Sequence, residues 1–381
     1  MDIIVKYIDE LLEKSTPEAP MWNIEKIRQG LKSNWNYIDG VMIKAVLQMY
    51  DVTKDEKYLK FADNFIDYRV HEDGTIDGYS IGEKNIDNVN AGKTLFELYD
   101  LTGKEKYRKA IDLVYSQIEI MPRCNNEARS FWHKEIYPNQ VWLDGLYMGL
   151  PFYLEYETRY NDRKNYSDIF GQFKFVIENM RNPINGLYFH AMDTSREAFW
   201  CDKVTGLSQH SWLRAIGWYT MALIDTLDQV DNKDHKYDAE CKMLEDAFKD
   251  LVDSMLKYQD ESGMWYQVVN YGGMEKNYLE TSGSSIMAYA LLKAIRLGYL
   301  SDDYAQYAKK AIDGICERYL KTKEDGSLSL GGICLVAGLG GNGRRSGTYD
   351  YYMSEPIVED DAKGVGPFLL AYTELLRYEN K

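Results

Sequence analysis

The sequence has little positive charge. Its 45 lysines and arginines face 60 aspartates and glutamates, giving a formal net charge of −15. Nucleic acids and anionic membrane surfaces both require clustered basic side chains, so we expect neither as a partner. A small anionic substrate is not excluded, because a few local cations suffice to bind it.

Cysteine and histidine are also scarce. The five cysteines (124, 201, 241, 316 and 334) include no C-x-x-C pair, which is typical of reduced thiols in a cytosolic protein. The five histidines do not form H-E-x-x-H or a similar spacing, so we expect no catalytic metal. A P-loop is absent, and we expect no cofactor.

Long apolar runs are missing. No stretch of about 18 apolar residues occurs, so no membrane-spanning helix is predicted. The opening segment MDIIVKYIDELLEKS is predicted to be an amphipathic helix rather than a signal peptide, because it lacks a basic start and a long apolar centre. We therefore expect a cytoplasmic protein that is a monomer or a weak homo-oligomer.

Aromatic residues, in contrast, are abundant. Tyr, Trp and Phe make up 14% of the chain, with 32 tyrosines and 8 tryptophans. Such rings suit sugar-binding clefts, although most of them serve the core of any protein. The length of 381 residues fits one closed toroid, and we predict a single domain over residues 1–381.

One segment pattern recurs six times. Each copy has a polar cluster, a small residue and then an apolar helix. The small residues are Gly40, Gly92, Gly145, Gly217, Gly283 and Gly366. These helices are apolar nearly all round, as inner helices are, whereas the helices between them carry a charged face. The alternation predicts an all-α fold, the (α/α)6 barrel.

The polar clusters open all six inner helices and should therefore meet at one end of the barrel. Six helix N-termini would converge there, which favours an anionic ligand. Helix capping alone accounts for Asp39, Asn90 and Ser282. It does not account for four larger side chains, namely Trp142, Trp212, Arg214 and Trp218.

Asp144 and Asp87 are the candidate catalytic acids. Asp144 stands in QVWLDGLYMGL at the start of the third inner helix, where an N-cap role is an equal alternative. Asp87 opens the preceding inner helix. Neighbouring helices lie roughly 8–10 Å apart, so the two carboxyl groups can approach each other. Paired acids divide their protonation, and one keeps its proton near neutral pH. Trp142 adds desolvation in the same direction.

Several other side chains are binding candidates. Arg214, between Trp212 and Trp218 in SWLRAIGWY, suggests a clamp for a carboxylate or a sugar; the alternative is a structural arginine paired with a core acid. His190 and the pair His133–Lys134 fall in loops that lead into inner helices. A lone histidine in such a place is more often structural than functional.

The segment GLGGNG (Gly338–Gly343) matches the dinucleotide-binding pattern G-x-G-x-x-G. That fingerprint requires a preceding strand and an immediately following helix inside a βαβ unit. The residues that follow, RRSGTYDYYMSEP, do not read as a helix. We therefore predict a loop or lid over residues 338–347.

Four segments together resemble the unsaturated rhamnogalacturonyl hydrolases of glycoside hydrolase family 105, relatives of the family 88 unsaturated glucuronyl hydrolases. They are VWLDGLYM, GLYFHAMD, TGLSQHSWLRAIGWYTMAL and YYMSEPIVEDDAKGVGPFLLA. The resemblance covers nearly the whole chain and implies an (α/α)6 barrel. It also implies removal of a 4,5-unsaturated galacturonyl residue from the non-reducing end of rhamnogalacturonan (pectin) lyase products by hydration of the C4=C5 bond.

The resemblance further implies residue roles. Asp144 matches the general acid/base, and Asp87 matches a second acid that contacts the sugar. The pocket positions that it implies are Tyr37, Lys134, Trp142, His190, Trp212, Arg214 and Trp218. The chain departs from the family pattern at Asn88, His210 and Leu213, which affects the expected subsite preference more than the reaction.

The sequence leaves three other functions possible. One is unsaturated glucuronyl hydrolysis of other uronate oligosaccharides. A sugar 2-epimerase would need facing histidines as acid and base, for which five scattered histidines give little support. A non-catalytic carbohydrate-binding toroid would keep the tryptophans but has no need of two converging acids.

Overall fold

A computed structural model describes residues 3–380 of the chain. Its helices are α1 (Ile3–Glu13), α2 (Ile24–Gln29), α3 (Tyr37–Thr53), α4 (Glu56–Asp67), α5 (Lys93–Thr102), α6 (Glu105–Ile120), α7 (Leu143–Tyr160), α8 (Tyr166–Asn179), α9 (Leu213–Gln229), α10 (Asp238–Leu256), α11 (Thr281–Arg296), α12 (Ala305–Tyr319), α13 (Tyr349–Ser354) and α14 (Ala362–Glu379). No helix in the described range is long and apolar enough to cross a membrane.

Six of these helices form a closed inner ring. Helices α3, α5, α7, α9, α11 and α14 follow one another around it, and α14 packs back against α3. Helix α11 is buried from Thr281 to Ile295, whereas the outer helix α10 buries only one face. This contrast is the one that the hydrophobic pattern predicted. The predicted (α/α)6 barrel is confirmed, with α1, α4, α6, α8, α10 and α12 outside.

The repeat glycines lie where inner helices touch. At Gly40 of α3, a Cβ atom would come within 2.5 Å of the Ala91 Cα atom in the next repeat. Only a residue without a side chain permits this approach, because real Cβ atoms do not come so near to backbone. The small residue of the repeat is therefore a packing requirement of the ring.

The second inner helix begins differently from the others. Residues Ile86–Gly92 form a 3-10 helix that runs directly into α5. Asn85 caps this segment, its Oδ1 accepting a hydrogen bond of 3.1 Å from the Asp87 backbone N–H. Asp87 thus stands on a tighter turn than the predicted α-helix start.

Three two-stranded antiparallel ladders join the loops at the mouth of the barrel. They are β1 (Gln140–Trp142) with β2 (Ala191–Asp193), β3 (Leu320–Thr322) with β4 (Leu328–Leu330), and β5 (Ile333–Cys334) with β6 (Ile357–Val358). The first ladder pairs Trp142 with Ala191, and the Leu143 N–H donates to the His190 carbonyl at 3.1 Å. It therefore brings Asp144 and His190 together. The glycine-rich segment lies between β5 and α13, without the βαβ unit that dinucleotide binding requires.

Candidate active site

A cavity of about 380 Å³ opens at the mouth of the barrel. Its walls come from the starts of α3 and α7, from the 3-10 segment before α5, and from the loops around residues 133–137 and 336–345. The volume lies in the range of small-molecule sites. Its ionisable lining residues are Glu25, Lys26, Tyr37, Glu83, Asp87, His133, Lys134, Tyr137, Asp144 and Arg345.

Asp144 lies in the first turn of α7, and its side chain is 14% exposed. The N-cap position belongs to Trp142, whose side chain makes no capping hydrogen bond. The Asp144 Oδ2 atom is buried and has no hydrogen-bond partner within residues 3–380. The His190 Nε2 atom lies 3.4 Å from it. Asp144 is thus a cavity-lining carboxyl group rather than a helix cap.

Asp87 has a very different set of neighbours. Its Oδ2 lies 2.7 Å from the Lys134 Nζ, and its Oδ1 lies 3.5 Å from the His133 Nε2. Burial acts to raise the pKa of Asp87, but Lys134 and His133 outweigh burial and hold that pKa below its usual value. Asp87 is therefore a carboxylate anion in an ion pair.

The two histidines of the site are both buried. Burial lowers the pKa of His133 to about 4, although Asp87 opposes this shift, so the imidazole is neutral near pH 7. His190 has no exposed surface, and its Nδ1 lies 2.8 Å from the Tyr352 hydroxyl. That contact fixes the ring that faces Asp144.

Three nearly parallel rings form one wall of the cavity. The rings of His133 and Trp142 lie 4.6 Å apart at 5°, and those of Tyr137 and Trp142 lie 5.2 Å apart at 13°. The Trp142 Nε1 donates to the Gln140 Oε1 at 3.0 Å, which holds the indole in place. Stacking between its two neighbours' rings and this hydrogen bond fix the orientation of Trp142 in the cavity lining.

Tyr37 lines the cavity at the start of α3. Burial, followed by the charges of Glu25 and Asp87, raises the pKa of Tyr37 well above its usual value. Its hydroxyl therefore stays protonated and can donate a hydrogen bond to a ligand.

Besides His190, which faces Asp144 but is not part of the cavity lining, three of the predicted binding residues lie behind the cavity wall. Arg214 is 1% exposed; its Nε donates to the Ser282 Oγ at 2.8 Å, its Nη2 lies 3.6 Å from the Glu280 Oε1, and it also contacts the Cys334 carbonyl. These are the contacts of a structural arginine. The other two are the buried tryptophans Trp212, against His190, and Trp218, against Tyr147.

Of the three departures from the family pattern, Asn88 lines the cavity. Its Nδ2 donates to the Glu83 Oε2 at 3.0 Å. His210 packs edge-on against Tyr271 outside the cavity lining, and Leu213 is fully buried. Asn88 is therefore the departure that has access to a ligand in the cavity.

Sequence reasoning did not select several cavity residues as binding residues. Glu25 comes from the short helix α2 and pairs with the Lys363 Nζ at 2.7 Å. Tyr137 and Arg345 come from two loops that are 208 residues apart and hydrogen-bond to each other. No local pattern distinguishes these residues from other surface residues, because their place in the cavity depends on how distant segments meet. Among residues 3–380, no group of three or more His, Cys, Asp or Glu side chains is placed to hold a metal ion.

Comparisons with known proteins identify the family and the fold. The family model of Glycosyl Hydrolase Family 88 matches residues 8–379. The structure of a family 105 glycoside hydrolase from C. acetobutylicum ATCC 824 is similar at 42% identity and a TM-score of 0.87, covering 98% of this chain and 100% of that one. The unsaturated rhamnogalacturonyl hydrolase YesR of Bacillus subtilis strain 168 is 25% identical over 300 residues, 77% of this chain and 78% of YesR.

A more distant structure shares the fold. It is the unsaturated glucuronyl hydrolase of Bacillus sp. GL1, which is 15% identical with a TM-score of 0.64 and covers 99% of this chain and 97% of its own. At this identity the likeness concerns the barrel alone.

Proposed function

Because the chain belongs to Glycosyl Hydrolase Family 88, we propose that it removes a 4,5-unsaturated galacturonyl residue from the non-reducing end of rhamnogalacturonan lyase products. The similarity to YesR, an unsaturated rhamnogalacturonyl hydrolase, supports this substrate. The cavity at the barrel mouth is the proposed site. Within it, Asp144 is the general acid/base and Asp87 is the second acid.

The proposed reaction is a hydration. The C4=C5 bond is part of an enol ether, so a proton from Asp144 adds to C4 and leaves positive charge that C5 shares with the ring oxygen. Water then adds at C5 and gives its proton back to Asp144. The resulting hemiketal opens to a ketone, and the glycosidic bond, now part of an open-chain hemiacetal, breaks to release the remaining sugar. One water is consumed and Asp144 is regenerated.

The contrast between the two acids is the observation that carries this proposal. Lys134 lies 2.7 Å from Asp87 and keeps it ionised, so Asp87 is suited to accept hydrogen bonds from sugar hydroxyl groups. Asp144 has no lysine or arginine within 4.0 Å among residues 3–380. The proton-transfer role therefore falls to Asp144.

The choice between galacturonyl and glucuronyl substrates depends on the next sugar. The two uronic acids differ in configuration at C4, and this difference disappears when C4 and C5 become trigonal. The unsaturated ring is then identical in both, so selectivity lies in the linkage and in the sugar that follows it. Unsaturated glucuronyl hydrolysis is accordingly the second candidate.

The test is the loss of ultraviolet absorbance from the conjugated alkene. We expect the protein to consume the alkene of an unsaturated galacturonyl–rhamnose disaccharide with a higher kcat/KM than that of an unsaturated glucuronyl disaccharide. The reverse order would favour the second candidate. Binding of both sugars without any loss of absorbance would identify a non-catalytic carbohydrate-binding protein, since only a hydratase destroys the double bond.

We also propose that the protein acts in the cytoplasm, on imported oligosaccharides. The five cysteines are free, which suits a reducing compartment. Fractionation of producing cells with an antibody against the protein tests this location.

A further inference from the structure

The glycine-rich segment 338–347 carries one cation into the cavity, Arg345. The segment is a tight turn in which the Gly340 N–H donates to the Arg345 carbonyl at 2.8 Å and the Arg345 N–H donates to the Gly340 carbonyl at 3.1 Å. These two hydrogen bonds fix the backbone from which the Arg345 side chain projects. The side chain lines the same cavity as Asp144 and Lys134.

Two glycines of this turn make room for the guanidinium group. A Cβ atom on Gly338 would lie 2.6 Å from the Arg345 Nη1 and 2.8 Å from its Cζ. A Cβ atom on Gly341 would lie 3.4 Å from the Arg345 Nη2, and the φ of +68° at this residue also favours glycine. Glycines of the segment that matches the dinucleotide-binding pattern thus leave the space that the Arg345 guanidinium group occupies.

Tyr137 links Arg345 to the stacked rings of His133 and Trp142 in the cavity lining. The Arg345 Nη2 donates to the Tyr137 hydroxyl at 3.0 Å, and the Tyr137 ring stacks on Trp142, two residues before Asp144. A second contact binds the loop to the same wall, because Leu339 packs in one apolar cluster with Trp142 and Trp200. The guanidinium group is therefore held in a defined position relative to Asp144.

The charge of Arg345 is not neutralised by an ion pair. No carboxylate oxygen of residues 3–380 lies within 4.0 Å of its guanidinium group. The charge of Arg345 acts on the pKa of Glu355, but from beyond that distance. Of the other cations near the site, Lys134 is paired with Asp87 and Arg214 with Glu280, whereas Lys26 at the α2 side of the cavity has no carboxylate within 4.0 Å among residues 3–380. Arg345 is thus available to a ligand anion.

We propose that Arg345 binds the C6 carboxylate of the unsaturated uronate, an assignment that rests on the proposed function. A planar guanidinium group matches a carboxylate in geometry, and Tyr137 occupies only part of its donor edge. C6 is bonded to C5, so this carboxylate lies directly beside the reacting C4=C5 bond. Arg345 is a specificity-determining residue of the reaction, and the role of the glycine-rich loop is to hold its side chain at the cavity.

The test compares an acid substrate with its neutral methyl ester. For Arg345→Gln, we expect KM for the unsaturated disaccharide acid to rise roughly 10- to 100-fold with kcat changed by less than about 3-fold. The C6 methyl ester should be turned over equally by the variant and the wild type. The matched control is Arg344→Gln, because Arg344 stands on the same loop over the exposed Phe199 ring, outside the cavity lining. It should leave both substrates unaffected.

A second variant tests whether the space left by Gly338 positions the guanidinium group. Gly338→Ala keeps the arginine but fills the space beneath its guanidinium group, and we expect the same selective rise in KM for the acid. Equal effects of Arg345→Gln on the acid and the ester, or no effect on either, would overturn the assignment. An unchanged KM for the acid in Gly338→Ala would also count against it.

A binding measurement separates this proposal from the proposed function. Ligand-detected NMR compares galacturonate with galactose, neither of which contains an alkene. Preference for galacturonate that is lost in Arg345→Gln supports the assignment even if no alkene is consumed. If the alkene is consumed but the preference survives in the variant, the function stands and the assignment of Arg345 fails.

Discussion

The individual residues of the site differ chiefly in how their charges are neutralised. Asp87 is paired with Lys134, Glu25 is paired with Lys363, and Asp144 faces only a buried histidine. A buried acid that lacks a permanent cation is the one able to exchange a proton during a reaction. The proposed division of roles between the two acids therefore rests on their neighbours, since both are aspartates.

His133 gives a prediction for stability at this scale. Its pKa is lowered to about 4 in the folded protein, whereas a histidine in an unfolded chain titrates near 6.5. The unfolded state therefore binds more protons between these values. The contribution of neutral His133 is complete above about pH 6.5 and falls as the pH drops toward 4.

Replacing His133 with Gln should remove that loss. Between pH 7 and pH 4 we expect the free energy of unfolding of the wild type to fall by about 3 kcal/mol more than that of His133→Gln, measured by urea denaturation at each pH. The control is His71→Gln, because His71 is exposed and its hydrogen bond to Asp77 raises its pKa. Between pH 7 and pH 4 the free energy of unfolding of the wild type should therefore fall less than that of His71→Gln. Parallel pH curves for His133→Gln and the wild type would contradict the assigned protonation state.

At the scale of secondary-structure elements, the ring depends on close contact between inner helices. Gly40→Ala would place a methyl group 2.5 Å from backbone of the next repeat. We expect a loss of about 1–3 kcal/mol in the free energy of unfolding, since the Ala91 backbone cannot move aside as a flexible side chain would.

A glycine on an outer helix is the matched control. Gly171 in α8 would have no atom within 4 Å of an added Cβ, so Gly171→Ala should stabilise the protein by about 0.5–1 kcal/mol through helix propensity alone. Calorimetric melting of both variants tests the pair. Equal shifts of Tm in the same direction would show that Gly40 is not a packing residue.

Much of the element order was predictable from the sequence. The inner helices are apolar on every side and the outer ones on one side only, and burial enforces this difference. The 3-10 start at Ile86 was not predictable, because hydrophobic spacing does not distinguish two similar helices over one or two turns. The short ladders were missed as well, since strands of two or three residues leave no periodic pattern.

The lining of the cavity was predictable where it lies on the repeats. Tyr37, Asp87, Trp142 and Asp144 open inner helices, and the barrel brings them to one cavity. Arg214 also opens an inner helix but is buried behind the cavity wall, and aromatic neighbours are as compatible with a buried arginine as with a ligand clamp. The position of Arg345 depends on a loop meeting Tyr137 across the fold, for which the sequence offers no local signal.

For the whole molecule, the two ends of the barrel have different chemistry. At the mouth, a cavity of about 380 Å³ holds an unpaired acid and an unpaired arginine. At the opposite end, the inner helices are joined by ion pairs, such as those of Lys293 with Asp225 and Asp228 at 2.8 and 2.9 Å. Paired charges hold the closed end of the ring together, whereas the unpaired ones remain available for ligands at the open end.

The most direct measurement of the central claim is the rate of alkene loss catalysed by Asp144→Asn. We expect kcat on the unsaturated galacturonyl–rhamnose disaccharide to fall about 100-fold or more, because the amide can neither donate nor recover the proton. Glu135→Gln, a change in an exposed ion pair with Lys84, should keep the wild-type rate. If folded Asp144→Asn consumed the alkene at nearly the wild-type rate, the assignment of Asp144 as the general acid/base would be wrong.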